Sequence, residues 1–175
     1  MIIQRRLLLK QLLFVSASAA LVPSCLLDKN KSGIPLKHIH VSKDQETTFA
    51  SLLSTIIPET ETPGAASLHA DLFAWKMIDD CSTKEDQDKI LKGINDLNLF
   101  SQAEIGQFFN KATNEQREKI LTKIEQMKDK KESLFEFYQK SKGLALHAYT
   151  SSEFFLTKVQ VYEQIPGRFH GCVKA

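Results

Sequence analysis

From Ser42 onward the apolar residues recur at helical spacing, and no segment alternates with period two for long enough to argue a strand. Phe49, Leu52, Leu53, Ile56 and Ile57 fall at i, i+3, i+4, i+7 and i+8 and make one face. Pro58 predicts where that helix stops, because proline lacks an amide and disfavours helical geometry at Ile57. A second segment over about 66–80 carries Leu68, Leu72, Trp75 and Ile78, and a third over 83–97 carries Ile90, Ile94 and Leu97. Ile105, Phe108, Phe109 and Ala112 make a short fourth, and Ile120, Ile124 and Met127 a fifth. A sixth, about 131–148, holds Leu134, Phe137, Tyr138 and Ala145 with Gly143 as a soft spot; a seventh holds Phe155, Val159 and Tyr162. Four stretches fit the capping box that opens a helix: Ser42 to Gln45, Ser82 to Glu85, Ser101 to Glu104 and Thr150 to Glu153. The predicted fold is all-α, a compact bundle of about six to seven short helices with an extended C-terminal tail.

Composition adds little to that picture. The 175 residues suffice for one domain, and seven Gly and five Pro are few for a β-sandwich, which needs frequent turns. Eleven Phe in a small helical domain read as core filling, with some surplus for a partner surface. The charge run Lys128 to Glu132 reads as a solvated helix junction.

The N-terminus changes the picture more. An apolar run from Leu12 to Val22 spans about 16 Å as a helix, too short for a bilayer core of ~30 Å, so it reads as a signal h-region. Arg5 and Arg6, followed by Leu8-Leu9-Lys10, resemble a twin-arginine export signal, with Leu8 in place of the usual Phe. Val22-Pro23-Ser24-Cys25 resembles a lipobox, with Cys25 as the lipid-attachment residue, although Pro23 is unusual there. Acyl chains contribute ~0.8 kcal/mol per buried CH₂, so more than one chain anchors durably. The expected organisation is a lipoprotein signal peptide over 1–24, a lipid-anchored flexible tether over 25–41, and a helical domain over 42–175 with a docking tail at 163–175. The expected location is the periplasmic side of the envelope. Without residues 1–24 the chain carries 20 Lys+Arg against 21 Asp+Glu, so it lacks the basic excess of a nucleic-acid binder. Cys81 and Cys172 would remain in a disulfide-permitting compartment, where Cys172 pairs either with Cys81 or with a partner chain.

Reactive constellations are missing. There is no Gly-rich phosphate loop, CxxC, HExxH or GxSxG. His38 and His40 read as solvated tether residues; His69, His147 and His170 each stand alone. Cys81 follows two aspartates, poor surroundings for a nucleophilic thiolate. Asp79 and Asp80 are adjacent, about 100° apart on a helix, and do not make a carboxylate pair. No catalytic, cofactor-binding or metal-binding residue is expected in this chain.

Two non-helical segments stand out. The connector from Ile56 to Ala65 holds Pro58, Thr62, Pro63 and Gly64, with Thr62 placed to cap a helix starting at Pro63. The tail from Tyr162 to Cys172 holds Pro166, Gly167, Arg168, Phe169 and Gly171, more aromatic than a free tail. Both read as partner-facing.

These segments, with the Arg-Arg signal and the Tyr149 to Glu153 helix start, resemble the gluconate 2-dehydrogenase subunit 3 family over about residues 43–172. Glu61 stands where that family usually has Asp, and a lipobox is not general to it. The resemblance implies a non-catalytic small subunit. The FAD and the redox chemistry would belong to a large partner of the glucose-methanol-choline type, with a cytochrome as electron acceptor. The small subunit would support export, maturation or anchoring of that partner. The competing reading is a stand-alone helical envelope lipoprotein that binds a small ligand or peptide; an adjacent flavin dehydrogenase gene separates the two.

Overall fold

The structure, a computed structural model, describes residues 33–127 and 133–160. Five α-helices lie among them: α1 (Lys43–Ile56), α2 (Ala70–Cys81), α3 (Lys84–Ile105), α4 (Asn114–Glu125) and α5 (Ser133–Thr150). A 3₁₀ turn (Phe109–Lys111) joins α3 to α4, and a π-helical turn (Phe155–Val159) follows α5. No strand occurs among the described residues, so the all-α expectation holds. Residues 1–32, where the signal peptide and the start of the tether were expected, the charge run 128–132 and the tail beyond 160 lie outside the described residues.

Apolar spacing explains the packing. Phe49, Leu52 and Leu53 of α1 meet Ala74, Trp75 and Ile78 of α2, Ile90, Ile94 and Leu97 of α3, and Phe137 and Ala145 of α5 in one core. Phe49 and Trp75 sit at its centre, both fully buried, with ring centroids 4.8 Å apart at a 56° tilt. Of the phenylalanines read as core filling, Phe109 and Phe137 are buried as expected, whereas Phe108 is 49% exposed. Gly93 lets α5 approach α3 closely: a Cβ there would lie 2.3 Å from Cγ of Phe137.

The helix starts follow sequence only in part. Ser42 makes both halves of its capping box with Gln45. An equivalent box, Thr113 with Gln116, opens α4 although it was not among the four expected. At α3 the cap is Thr83, accepting from the Asp86 amide, and Ser82 instead ends α2. Ser101 caps nothing. It lies inside α3, fully buried, and donates to the Gln107 carbonyl at 2.8 Å, while the helix runs on to a left-handed Gly106. Thr150 is the last residue of α5, and Ser152 accepts the Phe155 amide at 3.2 Å in its place. The second helix also starts later than periodicity suggests, at Ala70, and leaves Leu72 42% exposed.

The largest departure precedes α1. Residues 33–41, expected to be flexible tether, are packed against the domain as an extended strap. Ile39 and Val41 are 3% and 7% exposed, while His38 before them and His40 between them face solvent. Asp79, near the end of α2, holds the strap: Oδ2 accepts the Lys37 amide at 2.7 Å, and Oδ1 accepts those of His38 and Ile39 at 2.8 and 3.0 Å. Burial pushes the Asp79 carboxyl up, but the three amides outweigh it and hold it below the usual aspartate value.

Candidate functional site

The connector between α1 and α2 is a closed loop rather than a loose link. Ile57 ends α1 with its amide on the Leu53 carbonyl, and Pro58 prevents a further turn. The chain then doubles back, so that the Ala65 amide reaches the Ile57 carbonyl at 2.9 Å. That closure requires glycine at 64. A Cβ there would lie 2.6 Å from the Glu59 nitrogen and 2.8 Å from the Ile57 oxygen, both backbone atoms. Thr60 and Thr62 brace the tip, with the Thr60 amide on the Thr62 carbonyl at 3.2 Å.

Glu59 is the clamp, and sequence reasoning missed it. Its Oε2 accepts the Gly64 amide and its Oε1 the Ser67 amide, each at 3.0 Å. Bonds from the Ser67 side chain, then from the Gly64 and Ser67 amides, hold its carboxyl below the usual glutamate value. The carboxylate thereby satisfies the free N–H groups at the start of a single helical turn over 65–69, as an acidic N-cap does. The available signal was an acid ahead of the small-residue run Gly64-Ala65-Ala66-Ser67. Thr62, expected to cap, instead hydrogen-bonds within the tip through its amide to Thr60 Oγ1. The turn ends at His69, which adopts the left-handed conformation at φ 50 before α2 begins.

Of the partner-facing residues expected here, Pro58 and Thr62 are exposed and Pro63 is half-buried. Gly64 is buried, so its contribution is to loop closure and not to a contact surface. Pro166, Gly167, Arg168, Phe169, Gly171 and Cys172 lie outside the described residues, as do Arg5, Arg6 and Cys25. Cys81 is an exposed free thiol at the end of α2.

The structure brings the connector against the turn that follows α5. Ser67 and Leu68 form one wall of an open cleft of about 460 Å³, and Ser152, Glu153, Phe154 and Thr157 form the other. Tyr149 and Phe155 brace that second wall edge to face at 5.6 Å. A smaller cavity of about 180 Å³, lined by Ala50, Ser54, Ala65, Ala66 and His69, opens on the α1 side of the same turn. The α5 end is tied to α2 by Phe73 and His147, 5.3 Å apart. Two segments far apart in sequence thus share one face.

Several titratable groups elsewhere have structural partners. The Tyr138 hydroxyl donates to Glu125 at 2.7 Å, and Lys142 adds an ion pair at 3.1 Å, which together hold the Glu125 carboxyl down. Burial, followed by the Glu125 bond, pushes the Tyr138 phenol up. Lys140 and Asp86 join α5 to α3 at 2.8 Å. Among the described residues, no three His, Cys, Asp or Glu side chains come together to hold a metal ion. What the arrangement offers is a braced surface made of the connector rim and the adjoining cleft.

Comparison with known proteins gives that surface a context. A family model described as gluconate 2-dehydrogenase subunit 3 matches residues 43–167, which take in α1, the connector and both walls of the cleft. No curated protein and no solved structure matches the chain. The chain belongs to the gluconate 2-dehydrogenase subunit 3 family.

Proposed function

We propose that this chain is the non-catalytic small subunit of an envelope dehydrogenase complex and acts by binding its catalytic subunit. The family match over residues 43–167 carries this reading, since it names a dehydrogenase subunit and covers the connector. In this reading the partner is an FAD-dependent oxidoreductase of the glucose-methanol-choline type that oxidises a sugar or alcohol. The flavin is bound there, and a cytochrome accepts the electrons. This chain contributes shape: the exposed rim of Pro58, Glu61 and Thr62, the cleft beside it, and the Pro166 to Cys172 tail. A standard interface of about 1,600 Å² in total lies within reach of a domain of this size. Cys172 then pairs across the interface or with Cys81.

The leader supplies a second part of the role. The twin-arginine route carries folded proteins, and a flavoprotein folds around its cofactor before crossing. A partner without its own signal therefore travels bound to the Arg5-Arg6 leader, and Cys25 then anchors the pair. The test is fractionation of cells that carry Arg5→Lys with Arg6→Lys. Dehydrogenase activity stranded in the cytoplasm supports the export role; activity exported as in wild type overturns it.

A further inference from the structure

The turn between α3 and α4 holds one phenylalanine out of the core on a fixed frame. We propose that this frame and the adjoining face of α3 form a binding cleft for a neutral saccharide, with the Phe108 ring as its stacking plate. The cleft lies at the opposite end of α1 from the connector, and the proposal does not depend on the subunit role.

Phe108 precedes the short 3₁₀ turn, and the backbone around it is pinned on both sides. Ser101 donates to the Gln107 carbonyl at 2.8 Å, and Asn98 Oδ1 accepts the Phe109 amide at 3.2 Å. Arg117 donates through Nε to the Phe109 carbonyl at 3.0 Å and through Nη2 to the Asn110 carbonyl at 2.9 Å. Phe109 is thereby fully buried, and Phe108 beside it is left 49% exposed. Lone exposed apolar side chains are ordinary on protein surfaces. Here Leu99, 63% exposed, lines the same cleft as Phe108, and the backbone that carries the ring is fixed before any ligand arrives.

The cleft encloses about 480 Å³, in the range of small-molecule sites, and its lining selects by chemistry. Asn95, Asn98 and Leu99 fall at i, i+3 and i+4 and share one face of α3, joined by Asp44 of α1 and by Phe108 and Asn110 of the turn. No Lys, Arg or His lines it, so an anion finds no counter-charge there and meets the Asp44 carboxylate instead. A purely apolar ligand would strip water from the carboxamides without replacing its hydrogen bonds. A pyranose meets both demands. Its hydroxyls donate and accept at the rim, and its C–H face packs on the electron-rich face of an aromatic ring. Two of the carboxamides are already oriented: Asn98 Nδ2 donates to Thr48 Oγ1 at 3.1 Å, and Asn110 Nδ2 to Thr47 Oγ1 at 3.0 Å. Asn110 Oδ1 is buried with no partner among the described residues, an acceptor that the chain's own donors leave unmet. The Ser42 and Gln45 amides at the start of α1 are taken by the capping box, so recognition falls to side chains.

The test uses the chain from residue 25 onward carrying Cys25→Ala, so that no acyl chain is present, and follows its backbone and carboxamide resonances by NMR. Methyl glucoside and maltose are the neutral probes, and gluconate is the anionic control. Saturable shifts at Asn95, Asn98, Phe108 and Asn110 are expected in the millimolar range with the neutral probes and not with gluconate. Phe108→Ala is expected to weaken binding about tenfold, and Asn95→Ala about threefold. Leu146→Ala on α5, where the leucine is also 49% exposed, leaves it within about twofold. Urea unfolding of each variant checks that the domain is intact, and Asn95→Ala decides the matter if Phe108→Ala does not fold. No saturable shift with either neutral probe, an equal response to gluconate, or indifference to the cleft substitutions in folded variants overturns the proposal. So does a Phe108→Ala chain that loses capture of the catalytic subunit when the wild-type chain shows no saccharide shift, since that assigns the face to a protein partner.

Discussion

Replacing Asp79 is the sharpest probe of how the domain holds its N-terminal strap. Ordering nine strap residues costs about 1 kcal/mol or more each in backbone freedom. Burying Ile39 and Val41 returns only about 3–6 kcal/mol. The three hydrogen bonds to one carboxylate therefore decide whether the strap stays down. Bonds to charged groups contribute about 1.5–3 kcal/mol apiece, and the three share one acceptor, so about 4 kcal/mol is a conservative combined value. Asp79→Ala should thus raise strap opening about a thousandfold, read as faster amide exchange at Lys37, His38 and Ile39. Exchange at Ile94 and Leu97 in α3 should change little, because the strap opens without the core. Asp79→Asn should fall between. Its oxygen can still accept from His38 and Ile39, but its NH₂ then meets the Lys37 amide donor to donor. Protection at the three strap amides within tenfold of wild type in Asp79→Ala would refute this reasoning.

Gly93→Ala should cost about 1–3 kcal/mol in urea unfolding, because its Cβ meets the Phe137 ring, and Phe137→Leu in the same chain should recover part of the loss. Ser42→Ala and Thr113→Ala should each cost about 1 kcal/mol by the same assay, whereas Ser82→Ala, which caps no helix start, should cost less than half of that. Acid should loosen the strap at the low end of the pH scale only. A carboxyl held below its unfolded value adds stability that is complete above the ordinary 3.8 of aspartate and is lost as pH falls through the lowered folded value, so strap-amide protection should collapse there and be flat above it. Glu59→Gln should leave the core unfolding transition in place but speed exchange at the Gly64 and Ser67 amides, and should weaken co-purification of the catalytic subunit; an unchanged complex would remove the connector from the interface.

The sequence made α1 easy to read because three independent signals agree: the Phe49 to Ile57 face, the Ser42 box and the Pro58 stop. The far end of α3 was not readable. Ser101 and Glu104 copy a capping box, yet the helix continues because Ser101 faces the core and the true terminator is Gly106. The Thr113 box carries the same local signal as the four expected ones, a Thr with Gln three residues on ahead of an apolar run. Strap alternation at His38, Ile39, His40 and Val41 is too short to stand out, and its anchor lies 40 residues away at Asp79. The connector was visible as two prolines and a glycine, but its clamp was not. Glu59 acts only once the chain has folded back on Gly64, and that close approach also explains why Gly64 itself is buried. The cleft needed the whole fold, since Leu68 and Phe154 come to line one cleft only when α5 packs on α2.

The central claim is that the chain works by gripping a dehydrogenase subunit and performs no redox step itself. Co-expression of the tagged chain with its genomic neighbours, purification, and assay of each separated subunit with a sugar or alcohol and an electron-accepting dye tests it directly. A flavin-bearing subunit that co-elutes in fixed ratio and carries all of the dye reduction is the predicted result. Dye reduction by the separated small chain, or a chain that elutes alone from cells making an active complex, would contradict it.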